Sequence, residues 1–116
     1  MIELDRTLSA LADPTRRGVV DLLRVGPRRA GELAASLGMS SPAMSRHLRV
    51  LRRSGLVDEE SPGDDARVRI YRLRPEPFSA LRVWIAEVEA FWAGELAAFK
   101  AHAERTRGKG GGTRGR

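Results

Sequence analysis

The segment SSPAMSRHLRVLRR, residues 40–53, constrains the fold more strongly than any other part of this chain. Met44, Leu48 and Leu51 follow one another at i, i+4 and i+7, which places them on one face of an α-helix. The remaining face carries four arginines and no acidic residue. The segment therefore predicts a helix that buries one side in a core and exposes a polar side that is only positive.

A shorter helix is predicted directly before this one, over about residues 30–37. Gly38 supplies the left-handed residue that commonly follows a helix, and Ser40 or Ser41 is the predicted cap of the basic helix. Two short helices joined by a glycine turn, the second of them basic, are typical of a helix-turn-helix unit. The inner face of the shorter helix is predicted to comprise Leu33, Ala34 and Leu37.

Two further helices are predicted near the N-terminus. The first covers residues 2–11, and the second begins at Pro14 behind an Asp13 cap and ends near Arg24. The shared face of the first helix comprises Leu4, Leu8 and Leu11. The buried residues of the second are predicted to be Val19, Val20, Leu22 and Leu23.

A β-hairpin over residues 57–73 is predicted to follow the basic helix. The connection SPGDDA has turn chemistry, and the second strand alternates between arginines and apolar residues. Tyr71 departs from the alternation and leaves the register near it open. The residues expected to face inward are Val68, Ile70 and Leu73. Those expected to face outward are Arg67, Arg69 and Arg72.

A long helix is predicted from about Phe78 to Arg105. Its apolar residues recur in steps of three and four, close to a heptad seam, and one small domain does not readily cover so many aromatic side chains. We therefore expect a dimer interface between the terminal helices, comprising Leu4, Leu8, Leu81, Ile85, Val88, Trp92, Leu96 and Phe99. The alternative is a pocket for an unidentified apolar effector, lined by Trp84, Phe91 and Trp92.

Length and composition limit the remaining choices. The 116 residues fit one domain, predicted for residues 1–105, and the glycine-rich residues 106–116 predict a disordered basic tail. Most of the net charge of +6 comes from the C-terminal end of the chain, because residues 105–116 hold five basic residues and no acid. The predicted fold is mainly α with a small β-hairpin, a winged helix-turn-helix of order ααααββα that dimerises through its terminal helices.

The sequence favours neither an enzyme nor a membrane protein. The absence of cysteine excludes disulfides, thiolate metal sites and thiol catalysis. The tail sequence GKGGG has no preceding strand or following helix, so it is not a phosphate loop. No apolar run approaches the ~20 residues of a membrane span. We predict a cytoplasmic protein without catalytic residues, metal or cofactor.

The wholly positive helix, its supporting helix and the arginine-flanked hairpin together predict binding to double-stranded DNA. Helix 41–53 is expected to enter the major groove, with hairpin 57–73 as a wing on the neighbouring backbone or minor groove. Arg46 is the predicted base-reading residue, because arginine pairs with guanine through two hydrogen bonds. The predicted phosphate contacts are Arg49, Arg52 and Arg53. The other candidates are Ser40, Ser41, Pro42, Ala43, Ser45, His47, Arg67 and Arg69.

Among these candidates His47 borders the buried stripe, so packing is its favoured role. A second hypothesis keeps the winged helix but uses it as a protein-interaction module, in which the arginines of the basic helix meet an acidic protein partner. That module leaves the hairpin arginines and the basic tail without a role. DNA binding is therefore the preferred hypothesis.

The sequence resembles the ArsR-type (arsenical-resistance repressor-like) family of winged helix-turn-helix transcriptional regulators over roughly residues 4–100. The resemblance rests on LADPTRRGVVDLL, ELAASLGMSSPAMSRHLRVLRRSGLV and RVRIYRL. It implies a homodimer that binds an operator and usually represses, releasing DNA when a signal arrives. Ser41 and Ala43 stand where many members have a glutamine and a threonine, so the operator does not carry over. The family's cysteine metal site is impossible here, and its C-terminal histidine site is not expected because His102 stands almost alone.

Overall fold

The computed structural model describes residues 2–63 and 68–114 of the chain. Over these residues the elements follow in the order α1 (Ile2–Leu11), α2 (Pro14–Leu23), β1 (Arg28–Arg29), α3 (Ala30–Ser36), α4 (Ser41–Arg53), β2 (Val57–Glu60), β3 (Ile70–Leu73) and α5 (Glu76–Arg114). The chain divides into two compact units, Met1–Leu81 and Arg82–Arg116. The predicted class, mainly α with a small β-hairpin, is confirmed, and β1 extends the hairpin to a sheet of three strands.

Helix α2 begins where the sequence predicts because Asp13 caps it. The Asp13 carboxylate accepts hydrogen bonds from the backbone N–H groups of Thr15 at 2.7 Å and Arg16 at 3.1 Å. The N–H of Arg16, together with that of Thr15, holds the pKa of Asp13 below its usual range because both stabilise the charged form. The cap fixes the start of α2, and the helix then buries Val19 and Leu23.

Helices α3 and α4 form the predicted helix-turn-helix unit. Gly38 has a φ of +63°, and this left-handed residue lets the Met39 N–H reach the Ala34 carbonyl at 2.9 Å. Ser40 then caps α4, since its hydroxyl oxygen accepts a hydrogen bond from the Ala43 N–H at 3.3 Å. The turn between the two helices is therefore closed by hydrogen bonds at both ends.

The buried stripe predicted for α4 is confirmed. Met44, Leu48 and Leu51 are each 1% exposed or less, and they pack with residues from α2, α3 and the sheet, among them Val19 and Leu33. Burial of one such side chain contributes about 1.5–3 kcal/mol relative to leaving it in water. Any rotation of α4 about its axis would expose this stripe, so the core fixes which side of α4 faces outward.

The small sheet contains three antiparallel strands in the order β1-β3-β2. Strands β2 and β3 form the predicted hairpin, in which Glu59 lies opposite Tyr71. Strand β1 was not predicted, because two arginines carry no alternation that marks a strand. Arg28 pairs with Tyr71 and Arg29 pairs with Ile70. Pairing with β3, rather than the intrinsic β-propensity of the two arginines, therefore explains why this segment is extended.

The inward register of β3 differs from the prediction. Leu73 packs against the core as predicted, but its companion there is Tyr71, which is 6% exposed, and not Val68 or Ile70. Because side chains alternate along a strand, Arg69 shares the face of Tyr71 and not that of Arg72. The core accommodates the tyrosine because its hydroxyl group reaches a hydrogen-bond partner on β2. Arg67 lies outside the described residues.

Helix α5 extends further than the sequence predicts, from Glu76 to Arg114. Residues 106–114, expected to belong to a disordered tail, continue the helix, and residues 115–116 lie outside the described part of the chain. The preceding residues already form the helix, so residues 106–114 add backbone hydrogen bonds without the cost of a new first turn, which offsets part of the poor helix propensity of their glycines. Neither α5 nor any other helix of the described residues is long and apolar enough to cross a membrane.

We expect Asp13→Ala to lower the melting temperature by about 4 °C at neutral pH, because two N–H groups at the start of α2 lose their acceptor. The difference from the wild-type chain should shrink as the pH falls. A carboxylate with a lowered pKa stabilises the fold fully above the ordinary aspartate pKa of about 3.9, and the effect is lost as the pH falls through the lowered value. Circular dichroism melting across this range measures both effects.

Asp21→Ala serves as the control for Asp13→Ala. Asp21 lies on the same helix, but its side chain is exposed and forms an ion pair with Arg24 at 3.7 Å. Exposed ion pairs contribute little to stability. Equal losses of melting temperature in the two variants would contradict the capping role of Asp13.

Candidate nucleic-acid interface

The outer face of α4 lies opposite its buried stripe. Pro42, Arg46, Arg49 and Arg53 follow one another at i, i+4, i+7 and i+11, which places them along one line of the helix, and all four are exposed. Helix α4 contains no acidic residue. The core therefore directs a face outward that is positively charged through most of its length.

The leading end of α4 is polar and accessible. Ser41 and Ser45 are exposed, and Ala43 is half-buried. The Ser40 oxygen accepts the capping hydrogen bond from Ala43, but its hydroxyl proton stays available for donation. Together with Arg46 these hydroxyl groups place hydrogen-bond donors at the end of the helix that usually contacts base edges.

The structure does not place His47 with the outward arginines. Its side chain is 19% exposed, and its Nδ1 lies 3.4 Å from Arg16 Nη1 and 4.0 Å from Asp13 Oδ1. Arg16 also donates from Nε to the Ala10 carbonyl oxygen at 2.7 Å. His47 therefore packs against the junction of α1 and α2, which is the role that the sequence favoured.

The last turn of α4 is tied to the hairpin through Glu59 on β2. Glu59 Oε1 lies 2.7 Å from Arg52 Nη1, and Glu59 Oε2 lies 2.7 Å from Arg69 Nη1. The Tyr71 hydroxyl group also donates to Oε2, at 3.2 Å. The Glu59 side chain is only 11% exposed. One largely buried carboxylate thus joins two of the arginines predicted to contact DNA, one from α4 and one from the hairpin.

The ionisation of the groups around Glu59 follows from these contacts. Burial raises the pKa of Tyr71, and the negative charge of Glu59 raises it further. The hydrogen bond to Glu59 raises the pKa of Arg69, because it stabilises the charged guanidinium. At neutral pH this cluster therefore holds a neutral tyrosine and a charged Arg69.

Glu59 belongs to this surface but is not among the residues predicted from the sequence. One signal for it is present in the strand LVDEE: Glu59 stands two residues after Val57, and alternation puts both on the inner face. An acid on an inner face beside a basic helix indicates an ion pair. Only the register of β2 against β3 shows that Arg69 and Tyr71 lie within reach of it.

The residues proposed for dimerisation differ in how much of each is accessible. Leu4 is 8% exposed and packs within its own chain, whereas Leu8 is exposed. Leu81 is half-buried. The remaining candidates on α5 are exposed: Ile85, Val88, Trp92, Leu96 and Phe99.

The chemistry that this surface offers is hydrogen-bond donation and positive charge. Guanidinium and hydroxyl groups match the acceptor oxygens of phosphates and the acceptor atoms of base edges. Within residues 2–63 and 68–114, no three histidine, aspartate or glutamate side chains form a group that could hold a metal ion.

Comparisons with known proteins identify the family of this chain. The family model described as bacterial regulatory protein, arsR family, matches residues 13–59, which include the helix-turn-helix and reach into β2. The HTH-type transcriptional regulator Rv2034 of Mycobacterium tuberculosis is 41% identical over 95 residues, 82% of this chain and 83% of that protein. Further curated relatives are named as repressors.

Solved structures give the same result for the fold. The crystal structure of the ArsR family transcriptional regulator RHA00566 is 36% identical and covers 78% of this chain and 97% of its own, with a TM-score of 0.70. The homodimeric winged helix-turn-helix DNA-binding domain of Mb0332 from Mycobacterium bovis, solved by NMR, is 27% identical and covers 76% of this chain and 79% of its own, with a TM-score of 0.59. The chain therefore belongs to the ArsR family of bacterial regulatory proteins, and it is a DNA-binding transcriptional regulator with a winged helix-turn-helix fold rather than an enzyme.

Proposed function

We propose that this regulator is a homodimeric repressor that binds a pseudo-palindromic operator. Helix α4 of each protomer enters the major groove, and the β2–β3 hairpin serves as a wing on the neighbouring backbone or minor groove. The outward cationic face of α4 is the observation that carries the proposal. Repression agrees with the names of the relatives, and the cytoplasm is where such a protein meets the chromosome.

Arg46 is proposed to read a base, whereas Arg49 and Arg53 neutralise phosphates. Arg46 lies nearest the leading end of α4, and among the described residues no carboxylate lies within ion-pair distance of these three arginines. A guanidinium that is not already paired is free to form two hydrogen bonds to one guanine. Arg52 differs from them, because it is held by Glu59 at 2.7 Å.

Dimerisation is supported by the exposed apolar residues of α5. Val88, Trp92, Leu96 and Phe99 recur at i, i+4, i+8 and i+11, and exposed apolar stripes of this kind mark interfaces. The related Mb0332 domain is described as homodimeric. Two copies of α4 spaced by about 34 Å, one turn of DNA, would read the two halves of a pseudo-palindrome. Pairing also multiplies the modest affinity of each half.

An acidic protein partner is the second candidate for the cationic face. The two hypotheses differ in what they expect of sequence preference, because a protein-interaction module has no reason to distinguish one duplex from another. Selection of duplexes from a random pool, followed by gel shift against a scrambled duplex of equal composition, separates them. Enrichment of a pseudo-palindrome supports the operator hypothesis. If no duplex is enriched, the operator hypothesis is contradicted and the protein-interaction hypothesis is favoured.

We expect Arg46→Ala to reduce the preference for the selected duplex over the scrambled one by about tenfold, since one two-pronged base contact contributes roughly 1–3 kcal/mol of discrimination. Arg53→Ala is the matched control on the same face of α4. It should weaken both duplexes alike and reduce the slope of log affinity against log salt by about one. Fluorescence anisotropy titrations at several salt concentrations measure preference and slope together. Equal loss of preference in both variants would contradict base reading by Arg46.

We expect Leu96→Glu to separate the dimer into monomers, because it places a charge in the proposed apolar seam of α5. Sedimentation velocity at micromolar concentration should show half the wild-type mass, with weaker binding to the selected duplex. Ala90→Glu adds the same charge at a position of α5 that helical spacing puts on the opposite side from the seam. Dimers in both variants, or monomers in the wild-type chain, would count against the seam.

The basic tail is proposed to add affinity without sequence preference. We expect deletion of residues 106–116 to weaken selected and scrambled duplexes by the same factor, because the tail's positive charges attract any phosphate backbone. Anisotropy titrations at constant salt compare the truncated and full chains. A change in which duplex is preferred would show that the tail reads sequence after all.

A further inference from the structure

We propose that Glu59 is a positioning residue for DNA binding, which couples the recognition helix to the wing and raises the preference for the operator over other duplexes. The inference rests on the proposed function, since it concerns how the same surface discriminates between DNA sequences. Glu59 itself is not proposed to contact a base. It acts through Arg52 on α4 and Arg69 on the hairpin, whose guanidinium groups lie 2.7 Å from its two oxygens.

The geometry gives Glu59 a defined place between the two DNA-binding elements. Its side chain is 11% exposed, while those of Arg52 and Arg69 are 50% and 56% exposed. The carboxylate therefore lies below two cations that still reach the surface. The Tyr71 hydroxyl group holds Oε2 from the core side at 3.2 Å. An anion fixed in this way limits the positions that the two guanidinium groups can adopt.

The charges explain why such a bridge affects discrimination more than affinity. Phosphate contacts supply most of the affinity for any duplex, and that affinity grows with the number of free cations. Glu59 leaves the pair of arginines with one net positive charge instead of two. It thereby lowers the attraction to arbitrary DNA while holding the remaining donors at a fixed spacing. A fixed spacing favours only the groove shape that matches it, because preorganised donors lose less entropy on binding that shape.

The neighbouring acid on β2 provides an internal comparison. Glu60 also pairs with an arginine of the hairpin, Arg72, but both side chains are 52% exposed. Alternation puts Glu60 on the opposite face of β2 from Glu59. The two acids therefore carry the same charge on adjacent residues, and only Glu59 connects β2 to α4.

The test compares Glu59→Gln with Glu60→Gln in the full-length chain. Both substitutions remove one negative charge and keep the side-chain shape. The amide introduced by Glu59→Gln would offer one acceptor oxygen and one NH₂ group, so it can hold only one of the two arginines. The probes are the duplex selected from a random pool by the wild-type chain and a scrambled duplex of equal composition, each titrated by anisotropy over a range of salt concentrations.

For Glu59→Gln we expect the affinity for the scrambled duplex to rise by about threefold at low salt and the salt slope to steepen by about one, because one cation is released. The preference for the selected duplex should fall by about fivefold. Glu60→Gln should leave the preference within about twofold of the wild-type value. Equal effects of the two substitutions on the preference would overturn the inference, because general electrostatics would then explain both.

A second variant keeps the inference testable if Glu59→Gln fails to fold. Arg52→Gln breaks the bridge from the α4 side and leaves Glu59 with its partners Arg69 and Tyr71. We expect it to lower the preference as well, and where both single variants fold, their effects should be non-additive in the double variant. An unchanged preference in Arg52→Gln, or strict additivity, would overturn the inference.

The wild-type chain alone tests the proposed function, independently of the Glu59 variants. If the wild-type chain selects and prefers a duplex but Glu59→Gln behaves like Glu60→Gln, only the role of Glu59 fails. If the wild-type chain binds no duplex or prefers none, the operator hypothesis fails, and the inference fails with it.

Discussion

The burial of one stripe of α4 is the constraint on which the rest of this surface depends. Met44, Leu48 and Leu51 are almost fully buried among side chains of α2, α3 and the sheet. A rotation of α4 that brought its arginines inward would expose the stripe and bury unpaired charge, and both changes are unfavourable. The hydrophobic core therefore decides the direction of the cationic face, although no core residue is proposed to touch DNA.

The arginines of this surface differ in whether a carboxylate pairs with them. Arg46, Arg49 and Arg53 have no carboxylate within ion-pair distance among the described residues, whereas Arg52 and Arg69 share Glu59. A surface made only of free cations would hold any duplex and discriminate poorly, because phosphates are the same in every sequence. Arg46, Arg49 and Arg53 attract the DNA backbone. Arg52 and Arg69, held by Glu59, limit the groove shapes to which the surface binds tightly.

Features that depend on residues close together in the chain could be predicted from the sequence, whereas features that depend on distant residues could not. The α4 stripe, the Asp13 cap and the Gly38 turn depend on residues a few positions apart, and the sequence predicts each of them. Strand β1 and the inward register of β3 depend on pairing between distant segments. The strand was not predicted, and the predicted register was wrong. Tyr71 shows the reason: its place in the core is stabilised by β1, by β2 and by Glu59, none of which is near it in the chain.

The sequence by itself determined the helix-turn-helix, the sign of its outer face and the family, because helical spacing, caps and glycine turns are local properties. Only the tertiary structure decided which charges meet across that surface. It directed His47 towards Asp13 and Arg16, and it brought Glu59 between α4 and the hairpin. Such contacts follow from strand pairing and core packing, which bring together residues that are far apart along the chain, so composition and periodicity do not identify the partners.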